Sequence, residues 1–196
     1  DESDKVEVTS IKYKIQEYQA LSGEIVSPEA GWGDFVREQI DISEYGIPHV
    51  MAVSLIDKVR VVNALIGFSR ITPALSPKDE GFVSIKESST KWYPACEVRG
   101  EGIFIEFDNS EIENWIISNP EVAERVKIIQ DNYNSSFIGQ NHPRKITPKF
   151  IMLHTLSHLL IKQLSFECGY SIASLNERIY CSDINDGKVM AGIFIY

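Results

Sequence analysis

The sequence predicts an α+β protein: mixed helices packed on a small antiparallel sheet, with a long central apolar helix near residues 148–168. Three observations lead there. Residues 148–168 are signed as a helix at both ends, residues 94–107 read as a hairpin, and the run Val189-Met-Ala-Gly-Ile-Phe-Ile-Tyr196 reads as an apolar strand. With 43% hydrophobic and 24% charged residues, the 196-residue chain has the composition of a soluble globular protein and can bury a proper core.

The elements follow in order. Residues 12–21 space Tyr13, Glu17 and Leu21, or Ile15, Tyr18 and Leu21, at helical intervals, and Ser22-Gly23 closes that helix. Residues 23–48 hold Pro28, Gly31, Gly33, Gly46 and Pro48 and read as loop. Residues 50–64 read as an amphipathic helix with Val53, Ile56, Val59 or Arg60, and Asn63 along one side. Residues 66–71 form a candidate strand, and Pro73 and Pro77 mark an irregular loop after it. Pro94-Ala-Cys-Glu-Val98 and Ile103-Phe-Ile-Glu-Phe107 read as two strands joined by a tight turn, Arg99-Gly100-Glu101-Gly102.

Asp108 or Asn109 caps a helix holding Ile112, Trp115 and Ile116, and Asn119-Pro120 restarts a second one that runs to about Tyr133. Residues 134–146 are a polar connector with Gly139 and Pro143. They divide the chain into a 1–133 α+β subdomain containing the hairpin 94–107 and a 147–196 segment of helix plus terminal strand. Thr147 suits the cap of the long helix, Pro148 its first position, and Gly169 the left-handed residue that ends it. Ser174 and Glu177 have capping-box spacing and predict a short helix. The terminal strand stops at Tyr196, which suggests a truncated chain whose strand edge is covered by a further segment or a partner.

Composition narrows the function classes. The net charge of −9 argues against a general nucleic-acid binder, although Arg144 with Lys145, and Lys58 with Arg60, form small basic patches. Cys96, Cys168 and Cys181 are few and widely spaced, which points to a reducing, cytoplasmic setting and leaves no four-cysteine zinc site. No apolar run approaches the roughly 18 residues of a membrane span. The opening Asp-Glu-Ser-Asp-Lys is no signal peptide, and without an initiator Met the chain reads as part of something longer or a processed product.

The residues able to carry chemistry centre on the long helix. His154, His158, Lys162 and Ser165 fall in one stripe beside Thr155, with Leu153, Leu156, Leu159, Leu160 and Leu164 opposite. Two histidines four residues apart can reach one metal ion, as on the zinc helix of metalloproteases. The general-base position of His-Glu-x-x-His is Thr155 here, so the protease reading fails. Spacing singles out no third ligand among Glu167, Asp183, Cys181 and His142. The plain alternative is a pair of polar-face histidines bonded to their neighbours.

Glu97, Arg99 and Glu101 place three charges at the predicted turn, where an always-charged guanidinium beside carboxylates is held in position. Glu177 reads as a capping group and Arg178 as an ion-pair partner. Arg70 closes the candidate strand at 66–71. No Walker motif and no Gly-x-Ser-x-Gly elbow occurs, so no catalytic residue is assigned.

Three stretches carry a resemblance. They are Val61-Val-Asn-Ala-Leu-Ile-Gly-Phe-Ser-Arg-Ile71, Trp92-Tyr-Pro-Ala-Cys-Glu-Val-Arg-Gly-Glu-Gly-Ile-Phe-Ile105, and the run from Thr147 to Tyr180 with His-Thr-Leu-Ser-His at its centre. In this order they resemble the C-terminal domain of the DrmB family, the helicase-associated component of the bacterial DISARM anti-phage system. That domain is similar to one at the C-terminal end of MrfA-type DNA-repair helicases.

The resemblance implies a non-catalytic accessory subunit. Its partner is a DrmA-like superfamily 2 helicase that supplies the ATPase motor, and DNA is reached through the complex. Candidates for partner or nucleic-acid contact are Arg70, Glu97, Arg99, Glu101, His154, His158, Lys162, Glu177 and Arg178. Relatives are longer and continue into a cysteine-bearing segment resembling a zinc site. This chain lacks those cysteines, so the family implies no cofactor within it and zinc only in that further segment. Two competing readings are a metal-dependent hydrolase at His154 and His158, and a single-stranded-DNA binder stacking bases on Trp32, Trp92 or Tyr93.

Overall fold

Helices cover both faces of one five-stranded antiparallel sheet. The structure, a computed structural model, describes residues 2–25, 33, 35–72, 74, 76–86 and 89–196, with side chains from residue 11 onward. Pro28, Gly31, Trp32 and Pro73, on which some expectations rest, lie outside the described residues. In chain order the elements are α1 (Glu2–Ser22), β1 (Phe35–Ile40), β2 (Val50–Ala64), β3 (Gly67–Phe68), β4 (Val83–Ser84) and β5 (Ala95–Phe107). There follow α2 (Asn109–Ser118), α3 (Pro120–Ser135), α4 (Phe137–Asn141), α5 (Pro148–Cys168), β6 (Glu177–Ser182) and β7 (Met190–Ile195). The main sheet runs β1-β2-β5-β7-β6, and β3 and β4 pair separately. Among the described residues, no helix is long and apolar enough to cross a membrane.

Strand β7 is buried along its whole length because helices cover both its faces. Alternate side chains divide between two cores, as the two-residue repeat of a strand dictates. Met190 and Phe194 join Tyr18, Leu21, Ile56, Phe104 and Tyr180 beneath α1. Ala191, Ile193 and Ile195 join Phe107, Ile112, Leu153 and Ile161 beneath α2 and α5. β7 lies between β5 and β6, so the terminal strand expected to expose an edge is paired on both sides. Strands on either side of residues 134–146 thus belong to one sheet.

The helix ends follow the local sequence. Thr147 Oγ1 accepts from the Phe150 amide at 3.1 Å, Pro148 opens α5, and Gly169 ends it with φ 75°. Asp108 accepts from the amides of Ser110 and Glu111 at the start of α2, and Pro120 opens α3. Arg37 closes α1 from outside, donating to the carbonyls of Leu21 at 2.7 Å and Ser22 at 2.8 Å.

Several expectations are corrected. Residues 50–64 are a strand, not a helix, and two register shifts explain the false periodicity. One lies between Val50 and Ala52, so Val50 and Val53 share the α5 face, opposite Phe107 and Ile105. The other lies between Ile56 and Val59, which share the α1 face. A bulge inserts one residue, so spacing by two becomes spacing by three and mimics a helix. The β-branched content of this segment favours the strand.

Residues 94–107 are no hairpin: β5 runs unbroken through Arg99-Gly-Glu-Gly102 and pairs with β2 along its length. Neither Gly100 nor Gly102 has positive φ. Gly102 is there for space, because a Cβ would stand 2.5 Å from both the Ile195 carbonyl oxygen and the Phe194 ring. Residues 35–40, read as loop, form β1, and the 134–146 connector contains the short helix α4. The candidate strand at 66–71 shrinks to β3. The Ser174–Glu177 capping box does not form. Ser171 caps a single 3-10 turn at Ile172–Ser174, and Glu177 begins β6.

Candidate functional site

The strand β6 sets the site through its alternation. Arg178 and Tyr180 turn toward α1, whereas Ile179 and Cys181 pack under α5. Glu177 therefore rises on the α5 side, next to the one turn of that helix that carries both histidines. His154 Nε2 lies 3.1 Å from Glu177 Oε1, His158 Nε2 lies 3.6 Å from the same oxygen, and the two Nε2 atoms are 3.0 Å apart. Three donor atoms from two elements thus converge on one point, and they form the metal-capable cluster among the described residues.

Neighbours hold each member. Ser157, fully buried on the sheet side of α5, contacts Glu177 Oε2 through its hydroxyl and the His154 carbonyl oxygen at 2.7 Å. One carboxylate oxygen is thereby occupied and the other left facing the imidazoles. Phe150 stacks on His154 with ring centroids 5.4 Å apart, and the Arg144 guanidinium lies over the Phe150 ring at 4.4 Å from its centroid. Glu177 is mostly buried, whereas the side chains of His154 and His158 are 41% and 62% exposed, so the cluster opens to solvent on one side.

The expected helical stripe is only partly right. The buried face of α5 is Lys149, Leu153, Ser157 and Ile161, and Leu159, expected among the inward leucines, is exposed. The four spacing candidates for a third ligand lie elsewhere. His142 pairs with Asp79 at 2.8 Å, Asp183 faces Lys149, and Cys181 contacts Thr147. Burial pushes the Cys181 thiol pKa up. Glu167 accepts from Gln163 one turn earlier on α5. Glu177 is the residue that spacing missed as a ligand, because its access to the site depends on strand parity rather than on sequence distance.

The remaining candidates separate. Glu97 and Arg99 pair at 3.1 Å on the outer part of β5, with Arg60 of β2 at 3.8 Å from Glu97. Glu101 is exposed on the same strand, Arg70 is exposed beyond β3, and Lys162 is exposed on α5. Arg178 belongs to the opposite face, where it holds Glu17 of α1 through Nε and Nη2 at 2.6 and 2.9 Å.

A second concave feature lies at the start of α5. A cleft of about 880 Å³ is lined by Lys12, Lys14, Arg144 and Lys145 together with Asp183 and Asp186. Burial, then the charges of Arg178 and Arg144, lower the Lys14 pKa. The buried Lys149 nearby is fully engaged, donating to Asn109 Oδ1 and the Ser182 carbonyl, each at 2.8 Å.

Fold and site together define an α+β protein with a helix-covered antiparallel sheet and a His-His-Glu cluster between α5 and β6. No protein-family profile matches the chain. It is 32% identical over 201 residues to the DISARM protein DrmB of Bacillus paralicheniformis, an alignment covering 100% of this chain and 34% of that relative. The chain is a DrmB-like protein that spans about a third of the relative's length.

Proposed function

We propose that this chain is a non-catalytic accessory module of bacterial anti-phage defence of the DISARM type. In this reading it works in the cytoplasm, associates with a DrmA-like superfamily 2 helicase and helps that helicase engage DNA. The observation that carries the reading is the alignment of the whole chain with a DISARM protein DrmB. The sequence has no Walker motif, so the reading assigns ATP hydrolysis to the partner. The kinship with MrfA-type helicases belongs to the same proposal.

Two surface features support it. The outer ends of β2 and β5 expose Val62 and Val98, and Leu65 and Trp92 lie exposed just beyond them. Val98 pairs with Val61, so Val62 and Val98 lie on opposite faces of the ribbon, and this end of the sheet offers apolar side chains to a protein contact on both faces. The lysine- and arginine-lined cleft beside α5 suits phosphate oxygens. With a net charge of −9, the chain is expected to contact DNA there only when the helicase holds the strand.

Co-expression with a DrmA-like superfamily 2 helicase tests the docking claim. The two proteins are expected to co-elute, and Val62→Glu with Val98→Glu is expected to abolish co-elution while leaving the circular dichroism spectrum intact. Separate elution of two folded proteins would reject the reading.

A further inference from the structure

We infer that His154, His158 and Glu177 form a zinc site that fastens α5 to β6. The separations fit. Two donors about 2.0–2.1 Å from a tetrahedral zinc ion stand about 3.3 Å apart. The three edges here, 3.0, 3.1 and 3.6 Å, straddle that value. Two imidazole nitrogens and one carboxylate oxygen are also a donor set that zinc accepts, with a fourth position left for water or another ligand. That position falls on the solvent side, where His154 and His158 are exposed.

Hydrogen bonding alone leaves the triangle incomplete. A neutral imidazole carries one N–H, and a carboxylate only accepts. If His158 Nε2 donates to His154 Nε2, the latter presents a lone pair to Glu177 Oε1 at 3.1 Å. If His154 Nε2 donates instead, the lone pair of His158 faces the carboxylate at 3.6 Å. Each of these sets two lone pairs against each other, and turning both Nε2–H groups to Glu177 Oε1 instead brings two N–H groups together at 3.0 Å, whereas a cation at the centre suits all three edges.

The surroundings are those of a held ligand set. Ser157 occupies Glu177 Oε2 and orients Oε1 inward, and Phe150 fixes the plane of the His154 ring. None of the ligands is a cysteine, so this site is separate from the cysteine-bearing segment implied by the resemblance. Position 155 is Thr, so the inference is of binding, not of hydrolysis.

The test uses the full-length protein, stripped with a chelator and titrated with zinc against a chromophoric competitor. Wild type is expected to hold one zinc per chain more than His158→Ala or Glu177→Gln, with each variant weakened about 100-fold or more. Ser157→Ala, which alters a positioning residue, is expected to weaken binding about 10–100-fold. Zinc is expected to raise the melting temperature of wild type but not of His158→Ala. Because His158 is exposed, its apo variant should melt with apo wild type, which separates lost metal from lost fold. Cobalt in place of zinc is expected to give the intense visible bands of a four-coordinate ion. Equal zinc content in wild type and His158→Ala, or a six-coordinate cobalt spectrum, would overturn the site.

Discussion

Arg178 grips Glu17 through a two-pronged ion pair, although 161 residues separate them in the sequence. The contact ties α1, at the beginning of the chain, to β6 near its end. Tyr180 adds a third bond by donating to Glu17 Oε2 at 3.3 Å. Both charged side chains are 41% exposed, so water screens the attraction. A double-mutant cycle of Arg178→Ala and Glu17→Ala, read by urea denaturation, is expected to give a coupling of about 1 kcal/mol. Additivity of the two changes would show that the pair only decorates the surface.

Tyr18 and Tyr180 make stability fall at alkaline pH. Burial raises both phenol pKa values, reinforced for Tyr18 by its bond to Glu106 and for Tyr180 by the charge of Glu17. A folded-state pKa above the unfolded value of about 10 contributes stability that is fully present below pH 10 and lost as pH rises beyond it. Absorbance titration is therefore expected to show two of the eight tyrosines ionising only as the protein unfolds. Free ionisation of all eight in the folded state would contradict the packing of α1 on the sheet.

Gly100 and Gly102 should respond differently to alanine. Nothing lies within 4 Å of a Cβ at Gly100, whereas one at Gly102 would meet the Ile195 carbonyl oxygen and the Phe194 ring. Gly100→Ala is expected to be near neutral and Gly102→Ala to cost about 2–3 kcal/mol by forcing β5 from β7. A tight turn at 99–102 would instead make both changes costly.

That contrast also marks what the sequence could and could not convey. Thr147, Pro148, Gly169, Asp108 and Pro120 act within one helical turn of themselves, so their roles are readable from neighbours alone. The apolar run of β7 was equally legible, because a strand covered on both faces needs no polar alternation. β2 was not, since its bulges depend on pairing with β5 and convert strand spacing into helical spacing. The His154–His158 pair was visible as local helix geometry. Glu177 and Ser157 joined it only once β6 lay beneath α5.

Lys149 offers a test of the α5 core. Its ammonium is almost wholly buried and donates to Asn109 and to the carbonyl of Ser182, itself buried. Lys149→Ala is expected to cost about 3 kcal/mol, because it opens space and strands the Ser182 carbonyl without a donor. Chemical denaturation measures it, and a loss below about 1 kcal/mol would mean that water replaces the ammonium freely.

The accessory role is tested most directly by the DNA affinity of the helicase with and without this protein. Fluorescence anisotropy on a labelled single strand is expected to show at least about tenfold tighter binding by the complex. The protein alone should leave the signal unchanged at the same concentration, as its net charge of −9 implies. An unchanged helicase affinity, with the complex verified in the same sample, would contradict the account.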